Sequence, residues 1–549
     1  MRFARIVSSR IGHPLLAVLL ATAGILSTNP MAEAEPGTLA PGGLSLDAIT
    51  IPELQERMQF GALTAVDLTQ AYLDRIAEVN DEVRAVLSVN AHALDEAAHS
   101  DVIRAQQGQR SEMEGIPVLL KDNVDAEGMP TTAGSRALLH SEPDDATITR
   151  KLRDAGAIVI GKANLSEWAN FRAKNSTSGW SGAGGQTANP YVLDRSACSS
   201  SSGSAAGVAA SLAQVAVGTE TSGSIVCPSG TTGVVGLKPT LGTVSREGIV
   251  PISAEQDTAG PIARHAVDAA ILLSAIAGRD PADAATAERP ADFDPNFAEL
   301  DPHKLKGARI GVLTLTPDES QVVDDGTEAV FAMAVEELMA AGAKTVPVQL
   351  AHQEEIRAGE TPALLAEFHR DIEDYLAATP GNHPADLAGL IAFDRQDPEE
   401  LAYFGQELFE QAEASPVPAD NPAVRAQRST IRSLARGSID DALARGPEPQ
   451  NRLDAIVALT NTPGWVTKYF NRDGVADEFL YGSAGPAAVA GYPNVTVPAG
   501  FAGPQGALPI GISFIGARWH DADVLDLAYA FETATKARRT PGYLPTVGG

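Results

Sequence analysis

Apolar residues recur along the chain in two rhythms, and their alternation sets the expected architecture. Leu68, Tyr72, Ile76 and Val79 fall three or four apart behind a Thr64/Asp67 pair suited to capping the first free amides, so the spacing predicts an amphipathic helix over 64 to 80. A second helix is expected over 91 to 108. Ile116-Pro117-Val118-Leu119-Leu120 is instead a short apolar run between Gly115 and polar residues, which suits a buried strand ending at Lys121. The two rhythms then alternate: helix at 147 to 155, strand at Ala157 to Gly161, Ala-rich helix at 203 to 213, strand at Val215 to Val217. Helix at 267 to 277, strand at 309 to 314, helix at 328 to 341 and strand at 345 to 350 continue the series. Such alternation implies an α/β fold with both sheet faces covered. Residues 351 to 450 keep only the helical period and read as a helical layer or cap. Strand patterns return at 453 to 459, 494 to 498 and 509 to 515, before a closing helix at 523 to 535. No internal repeat interrupts this order.

The first residues follow another logic. Arg2, Arg5 and Arg10 precede an apolar run from Leu15 to Leu26 and then Ala32-Glu33-Ala34, so residues 1 to 34 are expected to be a secretory signal peptide. The run is shorter than the roughly 20 residues that span a bilayer, so no stable membrane anchor is expected after cleavage. Residues 35 to 45 read as a flexible lead-in, and the protein is expected to be exported, to a periplasmic or extracellular location.

Composition narrows the function classes. The 549 residues are 44% hydrophobic and 20% charged, proportions that fold, and the net charge of -29 argues against nucleic acid or anionic membrane as partner. Two cysteines supply neither a disulfide scaffold nor a zinc site, and no metal or cofactor is expected.

Candidate chemistry gathers in two small-residue tracts. Ser196-Ala197-Cys198-Ser199-Ser200-Ser201-Ser202-Gly203-Ser204 is followed, one helix later, by Gly218-Thr219-Glu220-Thr221-Ser222-Gly223-Ser224. A serine run is by itself as consistent with a linker, but this one sits inside an α/β pattern. The second tract ends on a serine just beyond a strand, where such folds place ligands and where backbone amides converge on an oxyanion. A serine nucleophile needs a base. There is no Gly-x-Ser-x-Gly elbow, none of the ten lysines follows a serine by three residues, and no histidine lies near either tract. Lys121, at the end of an apolar strand, is the remaining candidate, because desolvation there favours the neutral amine. A surface lysine at a strand end is the alternative.

Gly115 to Asn123, the serine tract, Gly218 to Ser224, and Gly233-Val234-Val235-Gly236-Leu237-Lys238-Pro239-Thr240 occur in the order and spacing of the amidase signature family, which the chain resembles from about residue 46 to 540. The resemblance implies a single amidase domain over 46 to 540, built on a large central mixed, mostly parallel β-sheet. It also implies a catalytic triad of Ser224, cis-Ser200 and Lys121, with the amides of Thr221, Ser222, Gly223 and Ser224 as oxyanion hole. Asn164 to Arg172 and Ala487 to Pro493 are similar to the peptide-amide-hydrolysing members, which implies C-terminal peptide amides as substrates. Aryl or aliphatic amides are the rival. A transamidation subunit acting on charged tRNA is opposed by the expected export and the acidic charge, and a silent amide-binding protein by retention of all three matched residues.

Cys198-Ser199 stands where the family commonly has Gly-Gly, and Ser202 and Ser222 replace frequent glycines, so any of these positions that needs a positive φ would be strained. Cys198 and Cys227 flank the two serine positions and suit either a disulfide or two buried thiols. Trp168, Phe171 and Trp180 are candidates for the substrate cleft, with core packing as the equal alternative. The stretch Trp465, Lys468, Tyr469 and Phe470 is a second candidate wall.

Overall fold

The structure, a computed structural model, describes residues 39–40, 43–316, 318–415, 418–444, 451–467 and 482–548. The expected signal peptide, most of the 35 to 45 lead-in, and Lys468, Tyr469 and Phe470 lie outside the described residues. No helix among the described residues is long and apolar enough to cross a membrane.

The first expected helix is present as Ala65–Val83. Thr64 Oγ1 accepts the Asp67 amide at 3.0 Å and the Asp67 carboxylate accepts the Thr64 amide at 3.3 Å, so both ends of the cap close. Its buried stripe is the one the spacing marks: Leu68, Tyr72, Ile76 and Val79.

Strands β1 (Leu39–Ala40) and β2 (Leu44–Ser45) form a two-residue ladder, and Leu44 is already buried, so ordered packing begins inside the lead-in. Next come β3 (Val86–Val89), β4 (Pro117–Lys121) and β5 (Ile158–Ala163). A second small ladder joins β6 (Trp180–Ser181) to β7 (Gly185–Gln186). Then follow β8 (Val215–Glu220), β9 (Val235–Lys238), β10 (Thr258–Ala263) and β11 (Arg309–Leu313). The last are β12 (Lys344–Val348), β13 (Ala455–Leu459), β14 (Asn494–Ala502) and β15 (Leu508–Ile515). Eleven of these make one mixed sheet in the order β12-β11-β13-β15-β14-β9-β10-β8-β4-β5-β3.

Parallel pairs form two blocks, β12-β11-β13 on one flank and β8-β4-β5 on the other. The six pairs between and beyond them are antiparallel, so the balance lies further from parallel than helix–strand alternation suggests. Connection type decides this. Helices Thr147–Asp154 and Asp325–Ala340 carry the chain back between parallel neighbours, whereas β14 and β15 are joined by a tight turn at Pro504–Gly506. Every residue of β4, β5, β8, β9, β10, β13 and β15 is buried. Because successive side chains point to opposite faces, unbroken burial means that both faces are covered.

The stretch expected to be a helical layer contains Gln353–Ala378, Leu387–Gln396, Glu407–Glu413 and Pro422–Ala444, with no strand among its described residues. Phe368, Ile372, Leu376, Leu390 and Phe409 pack there against Ala137, Leu138, Trp168 and Phe171. The layer therefore rests on the loops that leave β4 and β5, and this position brings it to the site.

Candidate active site

The block β8-β4-β5 points three strand ends the same way, and the candidate residues emerge from those ends. Lys121 is the last residue of β4, Thr221 to Ser224 follow β8, and Ser200 precedes the helix Ser202–Ala209 that leads into β8. A crevice at the carboxyl ends of parallel strands is where this architecture gathers ligand-binding groups.

Lys121 Nζ lies 2.8 Å from Ser200 Oγ, 2.9 Å from Thr219 Oγ1 and 3.3 Å from the Thr219 carbonyl. The amine is fully buried and makes no ion pair among the described residues. Burial lowers its pKa to about 7, and the more distant charges of Asp257 and Glu220 oppose that shift. Near neutral pH a large fraction of Lys121 is therefore free amine, able to accept a proton.

The peptide bond between Ser199 and Ser200 is cis. Ser166 donates its amide to the Ser200 carbonyl at 3.0 Å, and Ser201 donates its amide to the Ser224 carbonyl at 3.1 Å, so the serine tract is tied to the turn after β8. Three other serines of the run bond backbone carbonyls: Ser201 Oγ that of Thr219 at 3.0 Å, Ser202 Oγ that of Cys198 at 2.6 Å and Ser204 Oγ that of Val217 at 3.0 Å.

The turn Thr221 to Ser224 is held from several sides. Glu220 accepts the amides of Ile225 and Val226 at 2.8 and 3.1 Å, closing the turn from beneath. Thr221 donates its hydroxyl to Asp257 at 2.5 Å, and Asp257 also accepts the amides of Ile252 and Ser253. Burial raises the Asp257 pKa to about 6 despite those bonds. Gly223 takes φ +86, a conformation an L side chain rarely adopts, while Ser222 and Ser202 show no positive φ. Of the departures from glycine, only Cys198 does, at φ 60, and it is joined to Cys227 by a disulfide with a Cα–Cα distance of 5.9 Å. Ser224 itself is half-buried, which leaves its hydroxyl approachable.

A family model for amidases matches residues 67–525. The chain belongs to the amidase family. A probable amidase of Arabidopsis thaliana is 35% identical over 91% of this chain and 92% of its own. The crystal structure of native peptide amidase from Stenotrophomonas maltophilia is 48% identical, with a TM-score of 0.82 over 89% of this chain and 98% of that one. Another, of peptide amidase in complex with the competitive inhibitor chymostatin, is 48% identical with a TM-score of 0.85 over 91% and 100% of the two chains. The chain is thus an amide-hydrolysing enzyme on the amidase signature fold, similar to peptide amidase.

The structure places the aromatic candidates in the core of this amidase instead of its cleft. Trp168 meets Phe409 at 5.5 Å, Phe171 meets Phe368 at 5.2 Å, and Trp180 meets Tyr403 and Phe404 at 5.4 and 5.1 Å. An irregular segment has few backbone ladders to hold it, so its large rings supply the buried area against the helical layer. Beneath them Arg172, fully buried, pairs with Glu167 at 2.5 Å and Glu400 at 3.0 Å. Trp465 is buried against Cys198 and Cys227. A narrow crevice beside Thr219 is lined by Asn123, Ala169, Thr221 and Asp257, so Ala169 borders it and the neighbouring tryptophan does not.

Sequence reasoning missed Asn123, Thr219 and Asp257. Asn123 Nδ2 bonds the Thr219 Oγ1 that also receives Lys121, at 3.0 Å. Asn123 and Thr219 both lay inside motifs already singled out, and that membership was the available signal.

Proposed function

We propose that this amidase is exported and hydrolyses C-terminal peptide amides to carboxylate and ammonia, with Ser224 as nucleophile, Ser200 as proton relay and Lys121 as base. The observation that carries the reading is the buried Lys121 amine, which has no ion-pair partner among the described residues and lies 2.8 Å from Ser200 Oγ. Ser224 attacks the amide carbonyl as Ser200 takes its proton and passes its own to Lys121. Charge developing on the carbonyl oxygen is received by the amides of Thr221, Ser222, Gly223 and Ser224, whose turn is fixed before substrate arrives and needs no reorganisation. The protonated relay returns its proton to the leaving nitrogen, and ammonia departs. Water then enters by the same route in reverse, breaks the acyl-enzyme ester and restores Ser224. No cofactor or metal takes part in these steps.

Peptide amides are favoured over aryl or aliphatic amides by the similarity to peptide amidase, one structure of which holds a competitive inhibitor. Export rests on the arginine-flanked apolar run and the small residues at 32 to 34. The acidic surface suits a protein with neither nucleic acid nor membrane as partner.

Ser224→Ala is expected to abolish ammonia release and labelling by a fluorophosphonate. Substantial residual turnover would remove Ser224 from its role. Comparing ammonia release from a C-terminally amidated dipeptide with turnover of an aliphatic amide and an anilide tests the substrate. A preference for the anilide or the aliphatic amide overturns the peptide-amide reading and leaves the chemistry intact.

A further inference from the structure

The helical layer reaches the turn after β8 through a chain of buried and half-buried polar groups that the reaction as described does not use. Gln256, 3% exposed, sits in the loop before β10. Its Nε2 donates to the Thr221 carbonyl at 2.8 Å and to the Glu360 carboxylate at 2.6 Å. Its Oε1 accepts from Arg428 Nη1 at 2.6 Å. Arg428 is in turn fixed on Glu367, with Nε donating at 2.7 Å, and Glu367 accepts the Ser253 hydroxyl at 2.6 Å. Because a guanidinium only donates, the Gln256 amide has a single orientation in this network. Glu360, on the helix Gln353–Ala378, also has the Ser222 hydroxyl beside its carboxylate.

Geometry gives these contacts a consequence. A trans peptide is planar, with its carbonyl and the following N–H pointing in opposite directions. Fixing the Thr221 carbonyl toward Gln256 therefore fixes the Ser222 N–H away from it, and Ser222 is one of the four amides assigned to the oxyanion hole. Glu360 lies beside the side chain of the same residue. Thr221 is thus held by its carbonyl from Gln256 and by its hydroxyl from Asp257.

We propose that Gln256 and Glu360 are positioning residues for the oxyanion turn, and that Arg428 and Glu367 orient Gln256, so that the helical layer presets the Ser222 amide. This rests on Ser224 being the nucleophile. Neither residue touches the reacting atoms. Their effect is confined to the step in which charge develops on the carbonyl oxygen, and substrate binding does not depend on them.

The test uses the full chain and a C-terminally amidated dipeptide. Losing one oxyanion donor outright costs about 100- to 1,000-fold in kcat, so loosening one without removing it is expected to cost about 10- to 100-fold. Gln256→Leu should show that fall in kcat with KM within about twofold, and fluorophosphonate labelling of Ser224 should slow in parallel, since that reaction also builds charge on an oxygen in the hole. Glu360→Gln, nearly isosteric, should show a smaller fall of the same kind, and Glu360→Ala a larger one that Glu360→Gln partly rescues. Unchanged kcat in both Gln256→Leu and Glu360→Gln overturns the proposal, as does a rise in KM alone, which would place the network in substrate recognition. If Gln256→Leu does not fold, Glu360→Gln and Arg428→Met decide by the same split between kcat and KM. An inactive, unlabelled wild type would instead overturn the Ser224 reading.

Discussion

Lys121 and Lys162 lie on adjacent parallel strands, both fully buried, and in the register Leu120 faces Lys162 while Lys121 faces Ala163. That offset of one residue sends their side chains to opposite faces of the sheet. On its face Lys162 meets the Val124 carbonyl at 2.6 Å, Thr131 Oγ1 at 2.8 Å and the Asp122 carboxylate at 3.3 Å. On the other, Lys121 meets a serine, a threonine hydroxyl and a carbonyl, and no carboxylate among the described residues. Burial is common to both. What differs is the carboxylate: Asp122 lies against Lys162, and among the described residues none lies against Lys121. A lowered pKa is not sufficient either: Lys238 is brought to about 8 by burial but donates to the Pro239 carbonyl at 3.0 Å, with no serine on its amine among the described residues.

Replacing each lysine by methionine should separate the two roles. General acid–base groups contribute about 100- to 10,000-fold, and here one residue serves both acylation and deacylation, so Lys121→Met is expected to cut kcat/KM by at least about 1,000-fold without loss of thermal stability. Lys162→Met leaves the Asp122 carboxylate buried without its partner. A buried pair broken in this way costs about 3–5 kcal/mol, read as a lower midpoint in chemical denaturation, while folded protein should keep kcat within a few-fold. Should Lys162→Met lose activity without losing stability, the division between the lysines fails.

The pH profile sharpens the same contrast. Lys121 acts as base only when neutral, and its pKa is about 7, so kcat/KM should be half-maximal near pH 7 and fall about tenfold for each pH unit below it. Lys162 has no part in this limb. A profile flat between pH 5 and 8 would exclude Lys121 as the base.

How much of this was legible in the sequence follows from how local each feature is. The strand ending at Lys121 and the helix after the serine tract were readable because an apolar run and an Ala-rich period are properties of neighbouring residues. β10 was not, because Gly260 and Pro261 stand in its middle and both read as strand breakers. In the fold, a Cβ at Gly260 would come 2.1 Å from the Leu237 carbonyl, so glycine is required by the approach of β9. The paired residues facing β9 are only Ile262 and Ala263, and Pro261 lies just beyond them. The aromatic residues stood open between cleft and core for a related reason: an irregular Gly/Asn/Ser-rich stretch looks like a cleft rim until the layer that buries it is known. Gln256, Glu360 and Arg428 come from three separated segments, and no spacing rule joins them.

The finest test concerns the two anions that act on Lys121 from beyond contact. The charge of Asp257 raises the Lys121 pKa, against the larger lowering by burial. Asp257 titrates at about 6, so it is mostly ionised where Lys121 loses its proton and exerts nearly its full effect there. Asp257→Asn keeps the size of the side chain and an acceptor for the Ile252 and Ser253 amides but removes the charge. The Lys121 pKa should then fall, and the acid limb of kcat/KM should move to lower pH by a fraction of a unit, raising activity at pH 6 relative to the plateau. Glu220 remains to hold part of the upward pull. Lys162 offers the control, since it lies against Asp122 on the opposite face. A limb that moves to higher pH instead would mean that Asp257 reaches Lys121 through the Thr221 turn and not by its charge.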